Sequence, residues 1–88
     1  MTDIPAVIRA RLAVLDPVSI EITDDSALHA GHAGARSGGG HYRLAIVSAR
    51  FAGLGTVARH RLIYQTLGDL MAREIHALAI EARTPEQI

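Results

Sequence analysis

Five histidines, His29, His32, His41, His60 and His76, are the side chains in this 88-residue chain with the most chemistry to offer. Imidazole is the commonest metal ligand, and it changes charge near neutrality. His29 and His32 stand three apart, so one helical turn or a tight loop would aim both at one ion. The same spacing equally suits two solvated loop histidines. His41 heads an alternating apolar stretch and reads as a residue packed at a strand end rather than a ligand. His60 lies between Arg59 and Arg61, in helical phase with Ile63 and Leu67, and reads as half covered by the core. His76 precedes an apolar run with no other polar group until Glu81. A buried, unpaired imidazole is costly, so His76 is expected at the open end of that run. A zinc site built from His29, His32 and His76 would also need an open fourth position and an oriented second shell.

Signatures of catalysis are missing. The chain has no cysteine, so it offers no thiol nucleophile, disulfide or thiolate ligand of its own. It contains no Gly-x-Ser-x-Gly elbow, Walker loop or His-Glu-x-x-His pair. Gly38-Gly39-Gly40 lacks the following helix that a phosphate cradle requires. Asp24 and Asp25 are adjacent at a strand end, so their side chains diverge and suit a cap or turn better than paired acid–base work. The expected activity is therefore non-enzymatic.

Hydrophobic residues make up 49% of the chain, which separates it from disordered sequences, and its length suits one domain, residues 1–88. No apolar run is long enough to span a bilayer, and the opening residues lack the basic and apolar regions of a secretory signal, so a cytoplasmic protein without membrane contact is expected. Net charge is zero, every basic residue is arginine, and aromatics are 3%, too few for a base-stacking platform. The charge is nevertheless segregated. Residues 1–26 hold two arginines against five acids, whereas residues 43–73 hold Arg43, Arg50, Arg59, Arg61 and Arg73 against Asp69 alone. A basic middle could dock an anionic surface or simply solvate one helix face.

The elements that must position these residues follow from periodicity. Thr2 or Asp3 can cap a helix with Pro5 in its first turn, carrying Ile4, Val7, Ile8, Leu12 and Leu15 inward, and Asp16-Pro17 ends it. Val18, Ile20 and Ile22 alternate with polar residues as a half-buried strand. Residues 27–40, rich in glycine, read as a long flexible loop. Tyr42, Leu44 and Ile46 mark a second strand. After a turn at Gly53 and Gly55, with Thr56 as N-cap, a long helix carries Leu62, Ile63, Leu67, Leu70 and Met71, only slightly weakened by Gly68. Residues 75–82 read as a strand buried on both faces, and Thr84-Pro85-Glu86 as a last turn. The expected class is α+β. A three-stranded mixed sheet has helices on one face, strands one and two antiparallel, and strands two and three parallel with a right-handed crossover.

Arg50-Phe51-Ala52-Gly53, Arg59-His60-Arg61-Leu62-Ile63-Tyr64 and His76-Ala77-Leu78-Ala79-Ile80, with Asp25-Ser26 and His41-Tyr42-Arg43-Leu44 flanking the glycine loop, resemble the BolA family over nearly the whole chain. The resemblance implies an α-β-β-α-α-β fold related to the class II KH domain, although no Gly-x-x-Gly clamp stands between the helices here. It implies a monothiol glutaredoxin partner. The two proteins hold a bridging [2Fe–2S] cluster, with a cysteine and glutathione on the partner's side. On this side the resemblance implies one ligand from the loop, His29 or His32, and His76 from the last strand. Such a cluster is expected in the complex rather than in the isolated chain, which is expected to be a monomer. Arg59 and Arg61 would then face the partner or glutathione carboxylates. Some members of the family are described as DNA-binding regulators linked to stress response and morphology. In that reading Arg50, Arg59, His60 and Arg61 would meet phosphates. The sequence departs from the family pattern at Ile88, often a tryptophan, and in having fewer acids near Gly68-Asp69-Leu70.

Overall fold

The structure, a computed structural model, describes residues 3–25 and 40–87. Helix α1 (Ile4–Leu12) begins where Asp3 accepts the Ala6 N–H at 3.3 Å, with proline in the first turn. It tightens into a 3₁₀ turn over Ala13–Leu15 and stops at Asp16, whose left-handed backbone (φ 49°) precedes Pro17. Aspartate tolerates that conformation better than most side chains, and a residue before proline is held out of the helical region.

Strand β1 (Ser19–Asp24) pairs antiparallel with β2 (Gly40–Val47), which pairs parallel with β3 (Ile75–Arg83), so β2 is central. The expected pairing of all three strands holds. Along β2 the residues alternate strictly, with Tyr42, Leu44 and Ile46 buried. These side chains meet Ile8 and Leu12 of α1, Phe51 of a 3₁₀ turn (Ala49–Phe51), and Ile63 and Leu67 of α2 (Thr56–Leu67). Each fully buried aliphatic or aromatic side chain contributes about 1.5–3 kcal/mol. The opposite face of the sheet carries Glu21, Thr23, Arg43, Ala45, Ala79 and Glu81 around a shallow trough of about 230 Å³. Among the described residues no helix is long and apolar enough to cross a membrane.

Four expectations change. Glycine 40 belongs to β2 rather than to the loop; the rest of that loop, with His29 and His32, lies outside the described residues. Gly55, not Thr56, is the N-cap of α2 and offers no side-chain bond. The long helix is two helices: Gly68 (φ 59°) closes α2, and α3 (Leu70–Arg73) starts afresh. The positive φ is affordable to glycine and ends the helix rather than merely weakening it. The junction is held from α1, where Arg11 Nη1 donates to Leu67 O at 2.8 Å and to Asp69 Oδ1 at 2.9 Å. Finally, β3 is not buried on both faces. It is an edge strand, and beyond its first residues it alternates between partly buried and exposed positions, because helices cover one side of the sheet only.

Candidate metal centre

Strands β2 and β3 run parallel, so they begin side by side. From His41↔Ala77 to Val47↔Arg83 their register is constant, but Gly40 pairs with Ile75. One residue of β3, His76, is therefore surplus, and the strand bulges there. Core-facing positions show the same slip: Ile75 is 4% exposed, and the next inward residue is Leu78, three positions on. An unbroken strand returns to the same face every second residue. The bulge spends the extra residue on the outside, and bulges often re-aim a side chain in this way.

His41 is out of phase with Tyr42, Leu44 and Ile46, so it too points away from the core. The result is an imidazole pair at the head of the two parallel strands, with ring centres 5.1 Å apart and ring planes inclined by 38°. His76 is exposed and His41 half-buried. An ion about 2.1 Å from a ring nitrogen lies about 3.2 Å from the ring centre, so two imidazoles at a tetrahedral angle on one ion have centres about 5.2 Å apart. The observed separation fits that requirement. Among the described residues no group of three or more histidine, aspartate or glutamate side chains is placed to hold an ion, so the pair would fill two positions and leave the others to ligands from elsewhere.

The other site residues expected from sequence separate into distinct surroundings. His60 and Arg61 come together with Val57 and Tyr64 along a shallow depression on the outer face of α2. Val57 is 70% exposed, as are Val14 and Val18 to a similar degree. Arg50 points elsewhere, to an exposed ion pair with Asp16 at 3.4 Å. Arg59 is committed to the fold: Nε donates to Leu54 O at 2.8 Å, and Nη1 donates to Ala82 O at 3.0 Å and Gln87 Oε1 at 2.7 Å. Its guanidinium also lies 6.0 Å from the centre of the Phe51 ring. The basic middle of the sequence is thus not a basic patch. Arg43 pairs with Asp25 and Arg50 with Asp16, and both acids come from the acidic N-terminal segment. Strand pairing and chain return mix charges that the sequence keeps apart.

Taken together, a helix-backed mixed sheet of order β1-β2-β3 with histidine at a β3 bulge defines a small α+β domain of a known kind. The family model described as "BolA-like protein" matches residues 12–87, and the chain belongs to that family. It is 42% identical over 85 residues to BolA-like protein 1 of Mus musculus, covering 96% of this chain and 60% of that protein. It is 47% identical over 79 residues to SufE-like protein 1 of Arabidopsis thaliana, covering 84% of this chain but 21% of that protein. A "DNA-binding transcriptional regulator BolA" of Vibrio cholerae is 44% identical over 71 residues, 81% of this chain and 64% of that protein. Among solved structures, the BolA domain of SufE1 from Arabidopsis thaliana superposes with a TM-score of 0.85 at 42% identity, covering 100% of this chain and 99% of that one.

His41 is the residue that sequence reasoning set aside. The signal that would have found it is its phase: in a strand whose Tyr42, Leu44 and Ile46 face the core, position 41 must face out.

Proposed function

We propose that this chain is a non-enzymatic partner of a monothiol glutaredoxin and shares a bridging [2Fe–2S] cluster with it, acting in cluster assembly, trafficking or iron regulation. The observation that carries this reading is the apposition of His41 and His76, with ring centres 5.1 Å apart on an outward-facing bulge. In a chain without cysteine, imidazoles are the strongest iron ligands available. His76 would hold the iron together with a second imidazole, His41 by geometry or His29 or His32 by the family resemblance. The partner's cysteine and glutathione would supply the thiolates. When bound, a cluster with two imidazoles on one iron has a higher reduction potential than an all-thiolate cluster. The role of this chain's residues is to present two neutral ring nitrogens in one place and to leave the remaining positions open to the partner.

The test mixes the protein with a monothiol glutaredoxin, glutathione, iron and sulfide, and records visible absorption and circular dichroism. A spectrum distinct from that of the glutaredoxin homodimer is expected, lost with His76→Ala and with one of His41→Ala, His29→Ala or His32→Ala. An unchanged homodimer spectrum with the wild-type protein would refute the reading.

A second reading, a DNA-binding regulator, draws on the printed names of the bacterial relatives. Its physical basis would be Arg61 and His60 on the outer face of α2, since Arg59 and Arg50 are engaged elsewhere. Phosphate binding weakens steeply with salt, whereas cluster ligation does not, so a salt titration of duplex binding separates the two readings.

A further inference from the structure

We propose that Gly40, against which the Tyr42 ring packs, is a positioning residue for the His41–His76 pair, and that the missing side chain at position 40 is what sets the distance between the two imidazoles; this rests on the metal-ligand reading above. Gly40 is buried at the first position of β2, and its N–H donates to Glu74 O at 2.9 Å. Glu74 is the residue just before β3, so that bond fixes where the strand begins, at Ile75. Beyond it the register slips, and His76 becomes the surplus residue.

The neighbour of Gly40 on the core side is Tyr42, two residues on and only 7% exposed. A Cβ at position 40 would run into the Tyr42 hydroxyl and lie 2.5 Å from its Cε2 and Cζ. A side chain there requires the Tyr42 ring or the strand end to shift. The ring of Tyr42 lies back over the glycine and fills the space a side chain would occupy. Glycine inside a strand commonly marks a bulge or a close approach, and here it marks both.

The consequence reaches the outer face. His41 lies between Gly40 and Tyr42 and points the other way. If the Tyr42 ring, packed in the core, holds its place, a methyl group at 40 displaces the strand end, the bond from Gly40 to Glu74 changes, and the bulge that turns His76 toward His41 changes with it. Core packing on one side of β2 thereby controls ligand spacing on the other.

The experiment uses the full chain in a His29→Ala/His32→Ala background, so that loop imidazoles do not compete. Two quantities are read: the nuclear Overhauser contacts between the ring protons of His41 and His76 without metal, and the affinity for Zn²⁺ alone by calorimetry. Gly40→Ala is expected to abolish the ring-to-ring contacts and weaken Zn²⁺ binding about tenfold, the scale of losing a supporting residue of a metal site. Gly40→Ala/Tyr42→Leu, which removes the clashing ring, is expected to restore both, and it carries the test if Gly40→Ala alone does not fold. Contacts and affinity unchanged in a Gly40→Ala protein that has merely lost thermal stability would overturn the inference, as would a folded double variant that restores neither. A protein with the native Gly40 and Tyr42 that shows the ring contacts but takes up no Zn²⁺ in this background would refute His41 and His76 as a ligand pair, while the contacts alone still decide whether Gly40 positions the two rings.

Discussion

Arg59 Nη1 donates to the carbonyl of Ala82 at 3.0 Å, tying the first turn of α2 to the end of β3. Ser48 N–H bonds the next carbonyl, Arg83 O, from the β2 side. Carbonyls alternate along a strand, so Ala82 O faces the free edge. An uncovered edge carbonyl invites pairing with another strand, and Arg59 covers this one. The same nitrogen reaches Gln87 Oε1, which also accepts Thr84 N–H at 2.8 Å and so closes the C-terminal 3₁₀ turn (Pro85–Gln87). Charged donors to carbonyls contribute more than neutral ones, and Arg59→Ala is expected to destabilise the fold by about 2 kcal/mol, read as a lower urea midpoint with an unchanged slope. Arg59→Lys should recover less than half, because a single ammonium cannot reproduce the fork that reaches Leu54, Ala82 and Gln87 together.

Arg61 is the contrasting case two residues away. It is exposed, makes no ion pair among the described residues, and lines the depression with His60, Val57 and Tyr64. Arg61→Ala should therefore leave folding stability within about 0.5 kcal/mol of wild type. If α2 docks an anionic surface, the same variant weakens that binding and reduces its salt slope by about one. Urea unfolding and a salt titration of binding, run on Arg59→Ala and Arg61→Ala together, separate the structural arginine from the exposed one.

Much of this architecture was legible because periodicity survives in the sequence. Tyr42, Leu44 and Ile46 declare β2 and its buried face, and the Asp3 cap and the stop at Asp16-Pro17 bound α1. What was not legible depends on long-range register. Nothing local to Ile75-His76-Ala77 shows that Gly40 will pair with Ile75 and His41 with Ala77, so the bulge and the imidazole pair were hidden. The apolar run from Ala77 to Ile80 looked buried on both sides because alanine is equally at home on a bare sheet face. Arg59 looked like Arg61 because its acceptors, Ala82 and Gln87, are more than twenty residues away. Gly68 was underestimated because its positive φ is a property of the α2–α3 junction, where Arg11 holds Leu67 and Asp69.

Asp69 gives the pH dependence a definite sign. The hydrogen bond from Arg11, reinforced by the charge of that guanidinium, lowers the carboxyl pKa below the usual aspartate range. The folded state thus binds this proton less readily than the unfolded chain. The stabilisation is present above the unfolded value, about pH 4, and is lost as pH falls through the lowered folded value. Because the pair is exposed, the effect is small and screened by salt. Asp69→Asn should flatten the acid limb of the stability curve below about pH 4 and leave stability near pH 7 only slightly reduced. Thermal melts across that range, at low and high salt, check both statements.

Ser48 lies at the other end of β2 from the imidazole pair and is fully buried. Its Oγ donates to Leu15 O at 2.5 Å and accepts from Arg50 N–H at 3.1 Å, while its own N–H donates to Arg83 O at 2.9 Å. One small residue therefore joins the end of the α1 segment, the turn that carries Phe51, and the last residue of β3. Ser48→Ala keeps the backbone bond but leaves the backbone groups Leu15 O and Arg50 N–H without their side-chain partner, in a protein where no buried side-chain polar atom is unpaired among the described residues. The expected cost is about 2 kcal/mol, the scale of leaving a buried polar group unsatisfied. Position 48 is about 23 Å along the strand from position 41, and the register from His41 to Val47 is continuous. Ser48→Ala should therefore lower the urea midpoint and leave the His41–His76 ring contacts intact, whereas His76→Ala, at an exposed position, should abolish those contacts with little change in the midpoint. If Ser48→Ala also broke the ring contacts, β2 would transmit strain along its length rather than dividing into a structural end and a ligand end.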